Sequence, residues 1–162
     1  MAQLFANQRV GNYLITAISD GTMNASLALL SGIEQTTAET IQAQSGITAV
    51  GDIHIYSYLI RGEGRTKLID SGMGAINHIG GELPGNLLAL GVTRESTDTA
   101  LLTHGHHDHI GGLLDSAGQP PHVHAQLYFH PAEASFWLAD QQLKTTNELI
   151  VRNALLGRRT PG

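Results

Sequence analysis

Apolar and polar residues alternate along this chain in stretches whose spacing and bounding residues predict strands and helices. Residues 10–19 (Val-Gly-Asn-Tyr-Leu-Ile-Thr-Ala-Ile-Ser) are rich in β-branched side chains, and Asp20-Gly21 follows as a turn signal, so a strand closed by a turn is expected. Residues 37–45 predict a short helix ended by Gly46. Residues 53–60 are mostly β-branched or aromatic and predict a second strand. The run Arg61-Gly62-Glu63-Gly64-Arg65 then makes a tight connection to a strand over 66–69, which stops at Asp70-Ser71-Gly72, and the two strands form a hairpin.

The glycine-rich stretch 72–85 predicts an extended loop, followed by a short helix over 86–90 that Gly91 terminates. Residues 99–103 (Thr-Ala-Leu-Leu-Thr) read as a buried strand that runs straight into a histidine cluster. A helix over 108–116, stopped by Gly118 and Pro120-Pro121, a strand over 123–129 and a helix from Pro131 to about residue 156 complete the pattern. Phe136, Trp137 and Leu138 are the apolar anchors of that last helix and, with the 72–85 loop, are candidates for lining a pocket. No repeat or linker divides the 162 residues, which are expected to form a single domain over 1–162.

Composition narrows the function. Hydrophobic residues at 41% against charged residues at 14% fit a folded chain with a core. A net charge of −5, with Arg158-Arg159 the one basic pair, argues against nucleic acid and favours a small-molecule substrate. No membrane span is expected, and the N-terminus lacks a basic segment followed by an apolar one, so the chain as it stands reads as cytoplasmic, an exported origin with its signal removed being the alternative. Cysteine is absent, so a transition-metal site has to be built from His, Asp and Glu.

Such a set is present in Thr103-His104-Gly105-His106-His107-Asp108-His109. His104 and His106 lie two apart in extended chain and point the same way, while Asp108 and His109 sit on the first turn of the next helix. Imidazole and carboxylate are the ligands of zinc and related divalent ions, and a carboxylate at a helix N-terminus stays ionised in the helix dipole. His104, His106, Asp108 and His109 are the expected metal ligands; His107 is as readily a solvent-facing spacer. Gly105 keeps side chains out of the way between ligands, and Gly111-Gly112 permit close packing of the helix start. His54, His78, His122, His124 and His130 carry no expected role in the site.

The H-x-H-x-D-H pattern after a strand resembles the signature of the metallo-β-lactamase superfamily. Leu68-Ile69-Asp70-Ser71-Gly72, Ile110-Gly111-Gly112-Leu113 and the stretch from Phe129-His130-Pro131 to Phe136-Trp137 resemble further family features, over roughly residues 10–140. Ile15-Thr16-Ala17-Ile18-Ser19-Asp20-Gly21-Thr22 resembles the opening strand of the branch with acyl-homoserine lactonases and methyl-parathion-hydrolase-like enzymes. The resemblance implies an α/β fold, the αββα sandwich, of which this chain would supply the N-terminal half to two-thirds. It implies that His104 and His106 hold one zinc, Asp108 and His109 a second, and that Asp70 props the ligand loop without touching metal. Relatives add two histidines and a bridging aspartate downstream; these have no clear counterpart here, though Thr160-Pro161-Gly162 resembles the residues before one of them.

The resemblance thus implies a zinc-dependent hydrolase that turns a metal-bound hydroxide on an ester, lactone, amide or phosphoester, with Asp108 orienting it and accepting its proton. Two ligands per ion, against the three of a catalytic zinc, give the alternative of a catalytically incomplete remnant that binds metal weakly or assembles with another chain. A second alternative is a di-iron redox member of the same fold. An apolar sheet face left open by a shortened sandwich implies self-association through that face.

Overall fold

Two-residue turns build the first half of the sheet. Gly11-Asn12 joins β1 (Phe5–Val10) to β2 (Tyr13–Asn24), and Glu63-Gly64 joins β3 (Asp52–Gly62) to β4 (Arg65–Ile69). Glu63 and Gly64 have φ of 52° and 73°, the left-handed pair whose twist matches that of the flanking strands. This computed structural model describes residues 5–74 and 78–139. With β5 (Thr99–Leu101) and β6 (Gln126–Tyr128) the strands form one six-stranded sheet in chain order. β1 to β4 pair antiparallel, whereas β4, β5 and β6 are parallel, their links running through α2 (Leu83–Ala89) and then α3 (His107–Ile110). α1 (Gln35–Gln44) lies between β2 and β3, and α4 (Pro131–Leu138) follows β6.

Several boundaries differ from expectation, each for a physical reason. β2 does not turn at Asp20-Gly21; it runs on to Asn24 through a bulge that shifts register between Ser19 and Gly21. β1 precedes the expected first strand. α2 starts at Leu83, with Pro84 pre-set for its first turn. The helix expected over 108–116 is one α-turn followed by a 3₁₀ turn, Gly111–Leu113, because the Asp115 carboxylate accepts from Ala117 and Gln119 N–H and diverts the chain into a turn. β6 is three residues long. The stretch of the last expected helix from 140 to about 156 lies outside the described residues.

The core lies on one face of the sheet in two groups. Ile18, Leu59 and Leu68 pack with Leu83 and Leu87 of α2 and with Val92. Leu102, Ile110, Leu113 and Trp137 form the second group, directly beneath the histidine segment. Strand alternation puts a row on the opposite face, Ala6, Ala17, Tyr58, Ile69, Leu101 and Tyr128, one residue per strand in register. Tyr58, Leu101 and Tyr128 there are 44%, 41% and 53% exposed. Among the described residues no helix is long and apolar enough to cross a membrane.

Candidate metal centre

Parallel strands direct their carboxyl ends to one edge of the sheet, and the histidine segment occupies that edge. Asp70 follows β4 and Thr103 follows β5, and Asp70 N–H donates to the Leu101 carbonyl at 2.9 Å. Asp70 adopts φ 59°, a left-handed conformation that aims its buried carboxylate at the next strand end. Its Oδ1 accepts from Thr103 N–H at 2.8 Å, and its Oδ2 accepts from Thr103 Oγ1 and from His109 Nδ1, each at 2.8 Å.

These bonds set the tautomers. The Thr103 hydroxyl proton goes to Asp70, so the contact of 3.1 Å between Thr103 Oγ1 and His104 Nδ1 is one in which Nδ1–H donates. His109 Nδ1–H donates to Asp70 as well. In both rings Nε2 is the nitrogen turned toward a partner. His104 Nε2 faces His106 Nδ1 at 3.0 Å, and His109 Nε2 faces Asp108 Oδ2 at 3.2 Å. The His104 ring centroid lies 4.0 Å from that of His109 and 4.6 Å from that of His106. His107 opens α3 beside Asp108.

Charge follows from this crowding. Burial, and then repulsion from His109 and His106, lowers the pKa of His104. Asp108 and Asp70 raise His109 to about 9 in the metal-free chain, and pairing with His109 holds Asp108 below the usual carboxylate range against its burial. The two carboxylates thus favour positive charge at His109, while His104 beside it is held toward its neutral form.

The donor set fits divalent zinc. Tetrahedral zinc with bonds of about 2.0–2.1 Å holds its ligand atoms roughly 3.3 Å apart, and the two facing pairs stand at 3.0 and 3.2 Å. Among the described residues, no group of three or more His, Asp or Glu side chains is placed to hold one ion.

α4 supports the segment from the side. Glu133 Oε2 accepts from Gly105 N–H at 2.9 Å and from Trp137 Nε1–H at 3.0 Å. The Gly105 bond keeps Glu133 ionised below the usual carboxylate range despite desolvation. A Cβ on Gly105 would collide with the Trp137 indole. Trp137 is buried in the core, whereas Phe136 is 57% exposed. A Cβ on Gly112 would strike the Ser71 carbonyl, so the helix start presses on the loop after β4. Of the remaining histidines, His130 caps α4 by accepting from Ala132 N–H, His54 stacks on Tyr56, His122 is buried, and His78 and His124 are exposed.

In the sequence Asp20 reads as a turn residue within the stretch that resembles the branch's opening strand, with no bonding role assigned. It is fully buried; Oδ2 accepts from Met73 N–H, and Oδ1 from Gly81 and Leu83 N–H, at 2.7, 3.0 and 2.8 Å. Asp20 thereby fastens the loop between β4 and α2 to the bulge in β2. Glu133 was likewise unassigned. The signals that could have found them are the misfit of Asp20-Gly21 inside an otherwise continuous strand pattern, and an acidic residue in the first turn after Pro131.

Comparison with known proteins adds the family. The model of the family described as metallo-beta-lactamase superfamily matches residues 50–145. No curated protein sequence matches the chain. Among solved structures, it is similar to AbOPH, a hydrolase in the beta lactamase superfamily, with 29% identity and a TM-score of 0.79 over 97% of this chain and 56% of that one. It is similar in fold to AidC, a dizinc quorum-quenching lactonase, with 21% identity and a TM-score of 0.80 over 94% of this chain and 58% of that one. A Staphylococcus aureus protein described as a probable metal-dependent hydrolase shares the fold at 20% identity and a TM-score of 0.69, over 83% and 52% of the two chains. The chain therefore spans somewhat over half the length of these relatives.

Proposed function

The chain belongs to the metallo-β-lactamase superfamily, and from that premise we propose that it carries the ligand segment of a zinc-dependent hydrolase acting on a small ester, lactone, amide or phosphoester. The observation that carries this reading is the pair of facing contacts, His104 Nε2 to His106 Nδ1 and His109 Nε2 to Asp108 Oδ2, with the Nδ1 atoms of His104 and His109 tied to Thr103 and Asp70. The similarity to a lactonase and to hydrolases supports the reaction class.

In this reading His104 and His106 hold one ion, and Asp108 and His109 a second. Zinc, when bound, supplies Lewis acidity, which eases loss of a proton from water near neutral pH and draws charge from a substrate oxygen. Asp70 fixes the His109 ring by accepting its Nδ1–H and, through Thr103, steadies His104, so both rings are oriented before any cation arrives. Asp108 is ionised at neutral pH; its carboxylate orients the attacking water and accepts its proton. His106 and Thr103 are exposed, which leaves the site open to a small substrate.

The test is hydrolysis of a lactone and an aryl ester by zinc-loaded protein. Turnover that Asp108→Ala abolishes is expected; unchanged turnover in that variant would place the activity elsewhere. A second reading is favoured by one observation: the described side chains converge in pairs and not in threes. It holds that these residues alone bind zinc weakly, full ligation needing residues beyond them or another chain. Zinc uptake without turnover would select it.

A further inference from the structure

We infer that Glu133 is a positioning residue for His104 and His106, holding the peptide between them through the Gly105 N–H; this rests on the metal-binding reading above. His104 and His106 belong to a segment without secondary structure of its own. β5 ends at Leu101 and α3 begins at His107, so no strand or helix ladder fixes Gly105. Its N–H belongs to the peptide that joins it to His104, and that group donates to Glu133 Oε2 at 2.9 Å. Rotation of this peptide would swing the two imidazoles apart, and they now face each other at 3.0 Å.

The carboxylate is itself held. Glu133 and Trp137 lie one turn apart on α4, and the same Oε2 accepts from Trp137 Nε1 at 3.0 Å. Trp137 is anchored in the core with Leu102, Ile110 and Leu113, residues that flank the histidine segment on both sides. Its indole fills the space that a side chain on Gly105 would need and stands edge-on to the His106 ring, with centroids 6.3 Å apart. One oxygen therefore links α4 to the centre of a loop whose Gly105 N–H has no other acceptor among the described residues.

The experiment measures zinc affinity of the full chain by competition with a chromophoric chelator. Glu133→Ala is expected to weaken binding about 10-fold or more, in the range found for residues that orient metal ligands. Glu133→Gln keeps an acceptor oxygen without the charge and is expected to bind nearly as the parent does. A Gln variant as weak as the Ala variant would mean that negative charge and not the hydrogen bond matters, which overturns the inference, as does an Ala variant with parental affinity. If Glu133→Ala lacks the parental circular dichroism spectrum, Glu133→Asp replaces it, retaining charge but not reach; weakened binding supports the inference and unchanged binding overturns it. A parent chain that takes up no zinc would overturn the metal-binding reading and this inference with it, and that outcome is distinct because it is seen before any variant is made.

Discussion

At Asp20 one buried carboxylate serves three backbone N–H groups, so its removal leaves all three without an acceptor. With a cost of about 1–3 kcal/mol for each buried unsatisfied group, partly relieved by water, Asp20→Ala should destabilise the chain by on the order of 3 kcal/mol, read from urea unfolding. A loss below about 1 kcal/mol would contradict that role. Asp70→Ala removes the acceptor for His109 Nδ1–H and Thr103, and it should lower zinc affinity by about 10-fold or more, measured by chelator competition. The histidine segment was legible from sequence because its chemistry lies within six consecutive residues, His104 to His109. Asp20 and Glu133 were not, because the backbone N–H groups they bind lie 53 to 63 and 28 positions away, and a local signal can mark such a residue without naming its partner.

At the scale of elements, Asp98 joins the edge of the parallel half to the hairpin. Its carboxylate accepts from Thr66 N–H at 2.7 Å and pairs with Arg65 at 2.8 Å. Burial pushes its pKa up, but the bonds from Thr99, Thr66 and Arg65 together outweigh burial and hold it below the ordinary 3.8. A depressed folded pKa adds stability above the unfolded value, and that stability is lost as pH falls through the folded one. The gap in urea midpoint between the parent and Asp98→Asn should therefore be present at pH 6 and shrink toward zero as acid drives the carboxyl through its folded pKa; a gap that stays constant would contradict the linkage. Gly105→Ala should cost about 1–3 kcal/mol, because a methyl group there overpacks the contact with Trp137. Strand and helix identities came through in the sequence where periodicity was local, as in β3 and α1. Boundaries shifted where side chains bind backbone, over a distance at the Asp20 bulge and locally at the Asp115 turn.

Across the whole molecule, the core sits on one side of the sheet and a row of Tyr58, Leu101 and Tyr128 is exposed on the other. Such a face should bind a fluorescent apolar dye, and Leu101→Lys should reduce the signal without loss of circular dichroism. The mixed sheet with α2, α3, α4 and the core on one face agrees with the family fold expected from the sequence, over about half of the relatives' length. It also sets the site at the carboxyl edge of β4 and β5, where Asp70 can orient histidines from a different element. The measurement that tests the central claim most directly is the metal content of untagged protein after saturation with zinc and dialysis, beside a double variant His104→Ala/His109→Ala. Binding through two facing pairs predicts close to two equivalents in the parent, roughly the count of a binuclear site, and a loss of most of that metal in the variant. A parent below about one equivalent, or a variant that retains the parental content, would contradict it.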